Sequence, residues 1–281
     1  MIEYRFTGGT AVLTGAAGGI GEHLAHGLAA RGSDLVLVDR DADRLTAVAR
    51  AIHARFPAVG VDIHVADLAF VAGLGALTDA VLAAHPRITL LVNNAGVALG
   101  GTFDQVTAEE FDWVMDVNFR APVALTRLLL PRLRASPGSH IVNVSSLYGL
   151  IAPPRQAAYA ASKFALRGFS ESLRHELADQ GVGVTTVHPG GIRTRIAESA
   201  RVASGVTQAE AAREKERFAE LLTYPADKAA ERILKGVRNR KARVLIAFTA
   251  YVPDILARLF PQSHMAVLKR LRPSATHAKA R

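Results

Sequence analysis

The chain has 281 residues, of which 49% are apolar and 21% are charged, and it contains no cysteine. This composition is typical of a globular protein and excludes long disorder and collagen-like repeats. Without cysteine there is no disulfide framework or thiolate ligand, and we expect no metal site. No apolar run is long enough to indicate a signal peptide or a membrane span, so we expect a cytoplasmic protein.

The net charge of +9 is unevenly distributed. Residues 230–281 hold 12 lysines and arginines against Glu231 and Asp254, whereas residues 1–229 hold 22 basic and 23 acidic side chains. A neutral body argues against a nucleic-acid partner. The basic end, residues 251–281, either packs on the body or another subunit, or makes weak contact with an anionic membrane surface.

Short apolar runs alternate with helical stretches along the chain. The predicted strands are Thr10–Thr14, Leu35–Val38, Val61–Val65, Leu90–Val92, His140–Val144, Val182–Val187 and Ala242–Phe248. The predicted helices are Ile20–Arg31, a stretch ending near Ala54, Leu68–Ala84, Phe111–Arg134, Ala157–Asp179, a charged stretch within 196–222 and Ala226–Arg240, and beyond them Pro253–Leu271 carries apolar residues with basic residues between them. Uniformly apolar strands between helices predict an α/β fold, a doubly wound parallel sheet with helices on both faces, in one domain over residues 1–250.

A glycine-rich turn, Thr14–Gly21, joins the first strand to the first helix. Free backbone N–H groups and the positive end of a helix dipole favour an anion there. Gly15 and Gly19 allow a tight turn close to a pyrophosphate, and Gly21 allows the helix to approach the sheet. A turn that binds no ligand is the alternative, since short glycine motifs are common.

Asp39 ends the second strand, 24 residues after Gly15. An acid about 20 residues beyond the glycine loop accepts hydrogen bonds from the adenosine ribose and repels a 2′-phosphate. Asp39 therefore favours NAD, whereas the neighbouring Arg40 could attract the phosphate of NADP, which is not excluded. Asp39 could instead cap a helix or remain solvated.

Tyr159 and Lys163 stand four residues apart in a helical stretch, which places the phenol and the ammonium on one face. A nearby cation favours the phenolate and lowers the pKa of a phenol below its ordinary value of about 10. The pair could then exchange a proton with an alcohol or a ketone oxygen. Because this spacing is common on helices, its weight depends on the motifs around it.

Several motifs stand in an order that closely resembles the short-chain dehydrogenase/reductase family. They are Thr14–Gly21, Asp67, the Asn-Asn-Ala-Gly turn at 93–96, Asn118, Ser145-Ser146, Tyr159-x-x-x-Lys163 and Pro189-Gly190. The resemblance covers about residues 8–250 and implies a Rossmann-type sheet of about seven parallel strands and an NAD(P)-dependent oxidoreductase acting on a CH–OH group. It also implies a homo-oligomer, either a dimer or a tetramer.

The resemblance implies a role for each catalytic residue. Ser146, 13 residues before Tyr159, would hydrogen-bond the substrate oxygen, and Tyr159 would be the general acid/base. Lys163 would bind the nicotinamide ribose and depress the pKa of Tyr159. The backbone of Asn118 would anchor a water in a proton relay to Lys163, although its residue type alone also fits an ordinary polar helix position.

The resemblance further implies a set of cofactor contacts. These are Gly15, Gly18, Gly19, Ile20, Gly21, Asp39, Arg40, Asp67, Leu68, Asn94, Ala95, Gly96, Tyr159, Lys163, Pro189, Gly190, Ile192 and Thr194. Asp67 could cap the following helix as well, and His188 is expected to be a structural histidine rather than an acid/base. Members that use NADP often carry a basic residue just before the middle glycine, where this chain has Gly18.

The residues expected around the substrate are almost all apolar. They are Val97, Leu147, Tyr148, Leu150, Gly191 and the segment 196–222, which in this family forms a mobile cover. An apolar pocket favours a hydrophobic secondary alcohol or ketone over a sugar or charged acid. The alternative is a catalytically silent dinucleotide-binding scaffold or sensor, but all four catalytic positions are filled.

Overall fold

The computed structural model describes residues 3–194 and 200–271. Seven strands form its central sheet: β1 (Thr10–Thr14), β2 (Asp34–Asp39), β3 (Val61–Val65), β4 (Ile88–Asn93), β5 (His140–Val144), β6 (Gly183–Pro189) and β7 (Arg243–Ile246). Their order is β7-β6-β5-β4-β1-β2-β3, and each neighbouring pair is parallel. The predicted doubly wound α/β fold is confirmed, and the chain reverses its direction of winding between β1 and β4.

Helices cover both faces of this sheet. They are α1 (Gly19–Ala29), α2 (Ala42–Arg55), α3 (Leu74–Ala84), α4 (Ala108–Met115), α5 (Ala121–Arg134), α6 (Ala157–Glu176), α7 (Gln208–Leu221), α8 (Ala226–Arg238), α9 (Phe248–Leu259) and α10 (His264–Leu271). Leucine and isoleucine side chains of α1, α2 and α8 pack on one face, and those of α3, α5 and α6 pack on the other. Burial of these apolar stripes on both sides explains the uniformly apolar strands.

A buried polar chain links the centre of the sheet to α6. Asn93 on β4 lies opposite Asn143 on β5, and its Nδ2 donates to Asn143 Oδ1 at 2.8 Å. Asn143 Nδ2 in turn donates to Ser170 Oγ at 2.8 Å, and Ser170 donates to the Leu166 carbonyl at 2.6 Å. Buried amides need such partners. These hydrogen bonds therefore fix the position of α6 along the strands.

Helix α3 begins later than the sequence predicts. The predicted start was Leu68, but the Asp67 carboxylate accepts a hydrogen bond from the Ala69 N–H at 2.9 Å, and a 3₁₀ turn over Val71–Gly73 precedes Leu74. An aspartate that bonds the backbone two residues onward stabilises a turn in competition with a helix. Asp67 therefore closes a turn after β3 and does not cap the helix directly.

The predicted helix Phe111–Arg134 contains a wider helical segment. Between α4 and α5, residues Asp116–Arg120 form a π-helical stretch, and the Ala121 N–H donates to the carbonyl of Asp116, five residues before it. Pro122 has no N–H to donate to the carbonyl of Asn118, four residues earlier, so the regular α-helical pattern is interrupted there. Such π segments are frequent at functional sites, and Asn118 lies inside this one.

The C-terminal part, for which the sequence pattern predicts no element beyond its apolar residues, is helical. Two helices, α9 and α10, meet around Pro261, because proline interrupts a helix and disfavours helical geometry in the residue before it. Helix α9 begins at Phe248 and so runs across the predicted domain boundary at residue 250. Its Asp254 accepts hydrogen bonds from both terminal nitrogens of Arg243 on β7, which fastens the helix to the sheet edge.

Two sequence-based expectations fall partly outside the described residues. Residues 196–199 of the predicted cover and residues 272–281 of the basic end are not among the residues that the structure describes. Across 3–194 and 200–271, no helix has both the length and the apolar character needed to cross a membrane.

Core packing on the α2 side predicts a large effect of a single truncation. Ile52 is fully buried in α2, whereas His53 next to it is exposed. We expect Ile52→Ala to lower the free energy of unfolding by about 2–5 kcal/mol through lost burial and a cavity. His53→Ala should change it by less than about 0.5 kcal/mol. Urea titrations followed by circular dichroism measure both, and equal effects would contradict the packing described.

Candidate active site

The glycine loop follows β1 at the carboxyl edge of the sheet, where ligands of doubly wound folds bind. Gly15 and Gly19 have φ angles of +67° and +58°, in the left-handed region that favours glycine. A β-carbon on Gly21 would overlap the Gly15 carbonyl oxygen, so α1 can start this close to the loop only with glycine there. Gly18 and Ile20 flank Gly19 at the start of α1, where backbone N–H groups face an anion.

The turn after β4 is held against the glycine loop. Asn94 Nδ2 donates to the carbonyl oxygens of Thr14 and Gly15 at 3.0 and 3.1 Å. Thr14 Oγ1 accepts the N–H groups of Asn94 and Ala95, both at 3.1 Å. The turn and the loop therefore form one rigid wall at the sheet edge. The sequence placed Thr14 in the glycine motif but assigned no role to its hydroxyl.

Asp39 stands at the end of β2 with its carboxylate against the glycine loop. Oδ2 accepts the Ala17 N–H at 2.9 Å, and Oδ1 accepts the Asp41 N–H at 3.1 Å. A carboxylate offers about four acceptor positions, so both oxygens can still accept a hydroxyl proton. Arg40 is exposed beside it, and Asp67 is exposed after β3 with Leu68 buried.

Ser146, Tyr159 and Lys163 meet where β5 ends against α6. The Ser146 hydroxyl is close enough to the Tyr159 phenol to lower its pKa, and Lys163 Nζ lies 5.7 Å from the centre of the Tyr159 ring. Lys163 Nζ donates to the Val144 carbonyl at 3.0 Å, which ties α6 to the strand that carries Ser146. Ser146 Oγ also accepts the Tyr148 N–H at 3.1 Å, which leaves its own proton free to turn towards another oxygen.

Burial governs the protonation of this group. It raises the pKa of the Tyr159 phenol to about 12, against a smaller lowering by the hydrogen bond from Ser146, while nearby Tyr148 adds a further rise. Burial also lowers the pKa of Lys163 to about 8. The sequence predicts that Lys163 depresses the tyrosine pKa, whereas in the structure the pKa of Tyr159 is raised and loss of water around the phenol is the largest cause.

Asn118 acts through its side chain within the π segment. Its Oδ1 accepts the Val97 N–H and its Nδ2 donates to the Val97 carbonyl, both at 2.9 Å. Nδ2 also reaches Ser162 Oγ at 3.1 Å, and Ser162 donates to the Tyr159 carbonyl at 2.7 Å. Asn118 therefore links the turn after β4 to the helix that carries Tyr159. A β-carbon on Gly96 would lie 3.3 Å from both Asn118 Oδ1 and Lys163 Nζ, which places this glycine over both groups.

Ser162 and Val97 take part in this arrangement, although the sequence pattern predicts no role for Ser162 and only a pocket position for Val97. Ser162 is a buried polar residue between Tyr159 and Lys163, and its position three residues after Tyr159 on the same helix was an available signal. The backbone contact of Val97 with Asn118 spans 21 residues of chain. No local sequence pattern predicts a contact between residues so far apart in the chain.

The segment after β6 completes the edge. His188 is buried, and its Nδ1 donates to the Ser146 carbonyl at 3.0 Å. Burial is the main cause that lowers the pKa of His188 to about 4, so the ring is neutral at physiological pH and supports the Ser146 backbone. Pro189 ends β6, Gly190 donates to the Ile246 carbonyl at 3.0 Å, and Ile192 is buried. Thr194 lies beside Gly19, 3.2 Å from where its β-carbon would be.

An apolar cluster stands beside Gly96 and Tyr159. Leu99, Val114, Ala158 and Ala203 are buried in it, with Val97, Val106, Phe111, Trp113 and Val206 against them. The described part of the cover contributes to it: Arg201–Val202 pairs with Leu99–Gly100, and the Arg201 guanidinium lies 4.1 Å from the centre of the Trp113 ring. The expected pocket residues Leu147 and Tyr148 are half-buried and Leu150 is buried.

Comparison with known proteins agrees with this geometry. A family model described as short chain dehydrogenase matches residues 9–204. SadH of Mycobacterium tuberculosis is 40% identical over 270 residues, which cover 94% of this chain and 95% of SadH. A dehydrogenase/reductase SDR family protein 7-like of Drosophila melanogaster is 31% identical over 95% of this chain and 81% of its own.

Solved structures are similar over nearly the whole chain. A short-chain dehydrogenase/reductase from Burkholderia phymatum, in complex with NAD, has a TM-score of 0.81 at 29% identity and covers 98% of this chain and 99% of its own. A short-chain dehydrogenase from Sphingobium yanoikuyae, in complex with NADPH, has a TM-score of 0.75 at 29% identity, with 96% and 99% covered.

Buried His188 predicts a loss of stability in acid. Its pKa is about 4 in the folded protein against 6.5 ordinarily, so its contribution is complete above about pH 6.5 and is lost as the pH falls towards 4. We expect His188→Asn, whose amide can still donate to the Ser146 carbonyl, to reduce the slope of unfolding free energy against pH by up to about 1.4 kcal/mol per pH unit.

Urea titrations between about pH 4.5 and 7.5 measure this slope. Some slope should remain in the variant, because burial also lowers the pKa of His140 to about 3. An identical slope in the wild type and the variant would contradict the neutral, buried state of His188.

Proposed function

The chain belongs to the short-chain dehydrogenase family, and from that premise we propose that it interconverts a hydrophobic secondary alcohol and its ketone with a nicotinamide cofactor. The observation that carries the proposal is the Ser146–Tyr159 pair, which stands next to Lys163 where β5 ends against α6. The pair stands at the same edge of the sheet as the glycine loop, so a dinucleotide on that loop would reach it.

The sheet edge fits a dinucleotide. The left-handed Gly15 and Gly19, together with the crowding that excludes a β-carbon at Gly21, leave backbone N–H groups open to a pyrophosphate. The Asp39 carboxylate would accept the adenosine ribose hydroxyls, and the Ile192–Thr194 segment would receive the carboxamide. A bound nicotinamide supplies the donor or acceptor of hydride.

We propose NAD rather than NADP as the cofactor. The Asp39 carboxylate is held in place by two backbone N–H groups, so it cannot easily turn away from a 2′-phosphate, which it would repel. Gly18 stands where NADP-dependent relatives often carry a basic residue. Arg40 is exposed and offers a positive charge that would favour the alternative.

Tyr159 moves the proton. In ketone reduction its Oη gives a proton to the substrate oxygen, and in alcohol oxidation it takes one. With a pKa of about 12 the phenol holds its proton at neutral pH, so it is ready to act as the acid for reduction. The hydroxyl of Ser146 would position the substrate oxygen, and Lys163, held at the Val144 carbonyl, has further N–H donors for a ribose hydroxyl.

The apolar cluster beside Tyr159 supports a hydrophobic substrate. Val97 is held by Asn118 next to Gly96, and Ala158 precedes Tyr159 in the same cluster. These walls offer aliphatic and aromatic surface to the carbon skeleton, whereas a sugar needs several polar partners.

We also infer that the chain forms a homo-oligomer through α5 and α6. Leu128 on α5 and Phe164 on α6 are more than one-third exposed. Burial of such side chains against a second copy would remove apolar surface from water.

Replacement of the Tyr159 hydroxyl tests the reaction. We expect Tyr159→Phe to lower turnover about a hundredfold to ten-thousandfold, because the proton donor and acceptor is lost. Binding of NADH, followed by fluorescence, should persist. Tyr148→Phe is the matched control: its ring centre lies 6.0 Å from that of Tyr159, and its effect should be less than about tenfold.

The same assay with NAD and a panel of secondary alcohols, sterols, small diols and polyols tests the substrate class. Strong turnover of polyols or sugar acids alone would contradict the apolar pocket. Cofactor binding without turnover of any compound would favour the catalytically silent scaffold.

Asp39 predicts the cofactor preference. We expect Asp39→Asn to raise kcat/KM with NADP relative to NAD about tenfold or more, because the charge that repels the 2′-phosphate is removed. Asp41→Asn is the matched control, since asparagine also caps α2 and Asp41 lies two residues away. Equal shifts in both variants would show that only the local net charge matters.

A further inference from the structure

Helix α9 exposes an apolar face to solvent. Phe248, Ile255 and Leu259 are 79%, 52% and 66% exposed, and Tyr251 is 38% exposed. Their spacing of three or four residues puts them on one side of the helix. The opposite side buries Ala250, Pro253 and Asp254 against the protein. A surface helix normally exposes its charged residues and buries its apolar ones. On this side of α9 the apolar residues are exposed instead.

The face lies beside the candidate active site. Thr249, in the first turn of α9, accepts the Gly191 N–H on its Oγ1 at 3.1 Å. Gly191 belongs to the segment between β6 and Thr194, which borders the glycine loop. A surface that covers this face would therefore stand close to Gly191, one of the residues expected around the substrate.

The sequence from the start of α9 onward is basic. Asp254 is the one acidic residue in 232–281 of the sequence, and it is buried and bound by Arg243 and Arg258. It therefore presents no free negative charge. Six basic residues follow the start of α9: Arg258, Lys269, Arg270, Arg272, Lys279 and Arg281.

We propose that the apolar face of α9 docks on the surface of an anionic lipid bilayer. Aromatic and aliphatic side chains would enter the boundary between headgroups and acyl chains, and the basic residues would attract the acidic headgroups. A second copy of the chain fits less well, because a two-fold contact through α9 would bring two strongly basic segments together. Docking would place Gly191 and the segment beside the glycine loop near a phase in which hydrophobic alcohols and ketones concentrate, an advantage that rests on the proposed function.

Vesicle flotation tests the proposal with the full-length protein. We expect binding to vesicles that contain phosphatidylglycerol and weaker binding to vesicles of phosphatidylcholine alone. Raising the salt from about 0.1 M to about 0.5 M should weaken binding, since screening reduces the attraction. Phe248→Ser combined with Leu259→Ser should lower the partition coefficient about tenfold or more.

A matched control separates this face from general hydrophobicity. Phe70→Ser combined with Phe103→Ser removes two aromatic side chains that are 68% and 74% exposed elsewhere. That variant should bind vesicles like the wild type, and circular dichroism should show both variants folded. An equal loss of vesicle binding in both double variants would overturn the proposal. So would the absence of binding of the wild type to anionic vesicles.

Analytical ultracentrifugation tests the alternative, in which a second copy of the chain covers the apolar face of α9. If the Phe248/Leu259 variant dissociates a wild-type oligomer into smaller species, the face is an interface between copies and the proposal fails. An unchanged oligomeric state together with lost vesicle binding supports it. Because flotation does not depend on turnover, it remains decisive even if the proposed reaction is wrong.

Discussion

The hydrogen bond from the buried Lys163 ammonium to the Val144 carbonyl is the constraint on which the candidate site depends. It joins α6 to the end of β5, two residues before Ser146. Because Tyr159 lies one turn before Lys163 on α6, the same contact brings the Tyr159 phenol to the Ser146 hydroxyl. The Asn93–Asn143–Ser170 chain acts further along α6 in the same sense, so the helix has little freedom to slide along the sheet.

Burial that holds these groups in place also sets their protonation. Removal of water raises the pKa of Tyr159 and lowers that of Lys163, so both shifts have one cause. Buried polar groups are tolerable only when they have partners, and the site supplies them through backbone carbonyls and through Asn118 and Ser162. Rigidity and unusual pKa values are therefore consequences of the same packing.

At the edge of the sheet, an ion pair attaches the C-terminal helix α9 to β7. Arg243 on β7 binds Asp254 on α9, which neutralises the acid and fixes the helix. With its polar anchor turned inward, α9 turns its apolar residues outward. The first turn of α9 then contacts the Gly190–Gly191 segment, so α9 adjoins the candidate site.

The amino-acid sequence by itself determined the strands, their parallel arrangement and the identity of the glycine loop, because apolar periodicity and glycine spacing are local properties of the chain. It also placed Tyr159 and Lys163 on one helix face. Tertiary structure alone decided the contact of Asn118 with Val97 and the pKa of Tyr159, which depend on what packs around each group. The late start of α3 and the π segment before Pro122 depend on which of several nearby hydrogen bonds forms. The spacing of apolar residues along the sequence does not predict that choice.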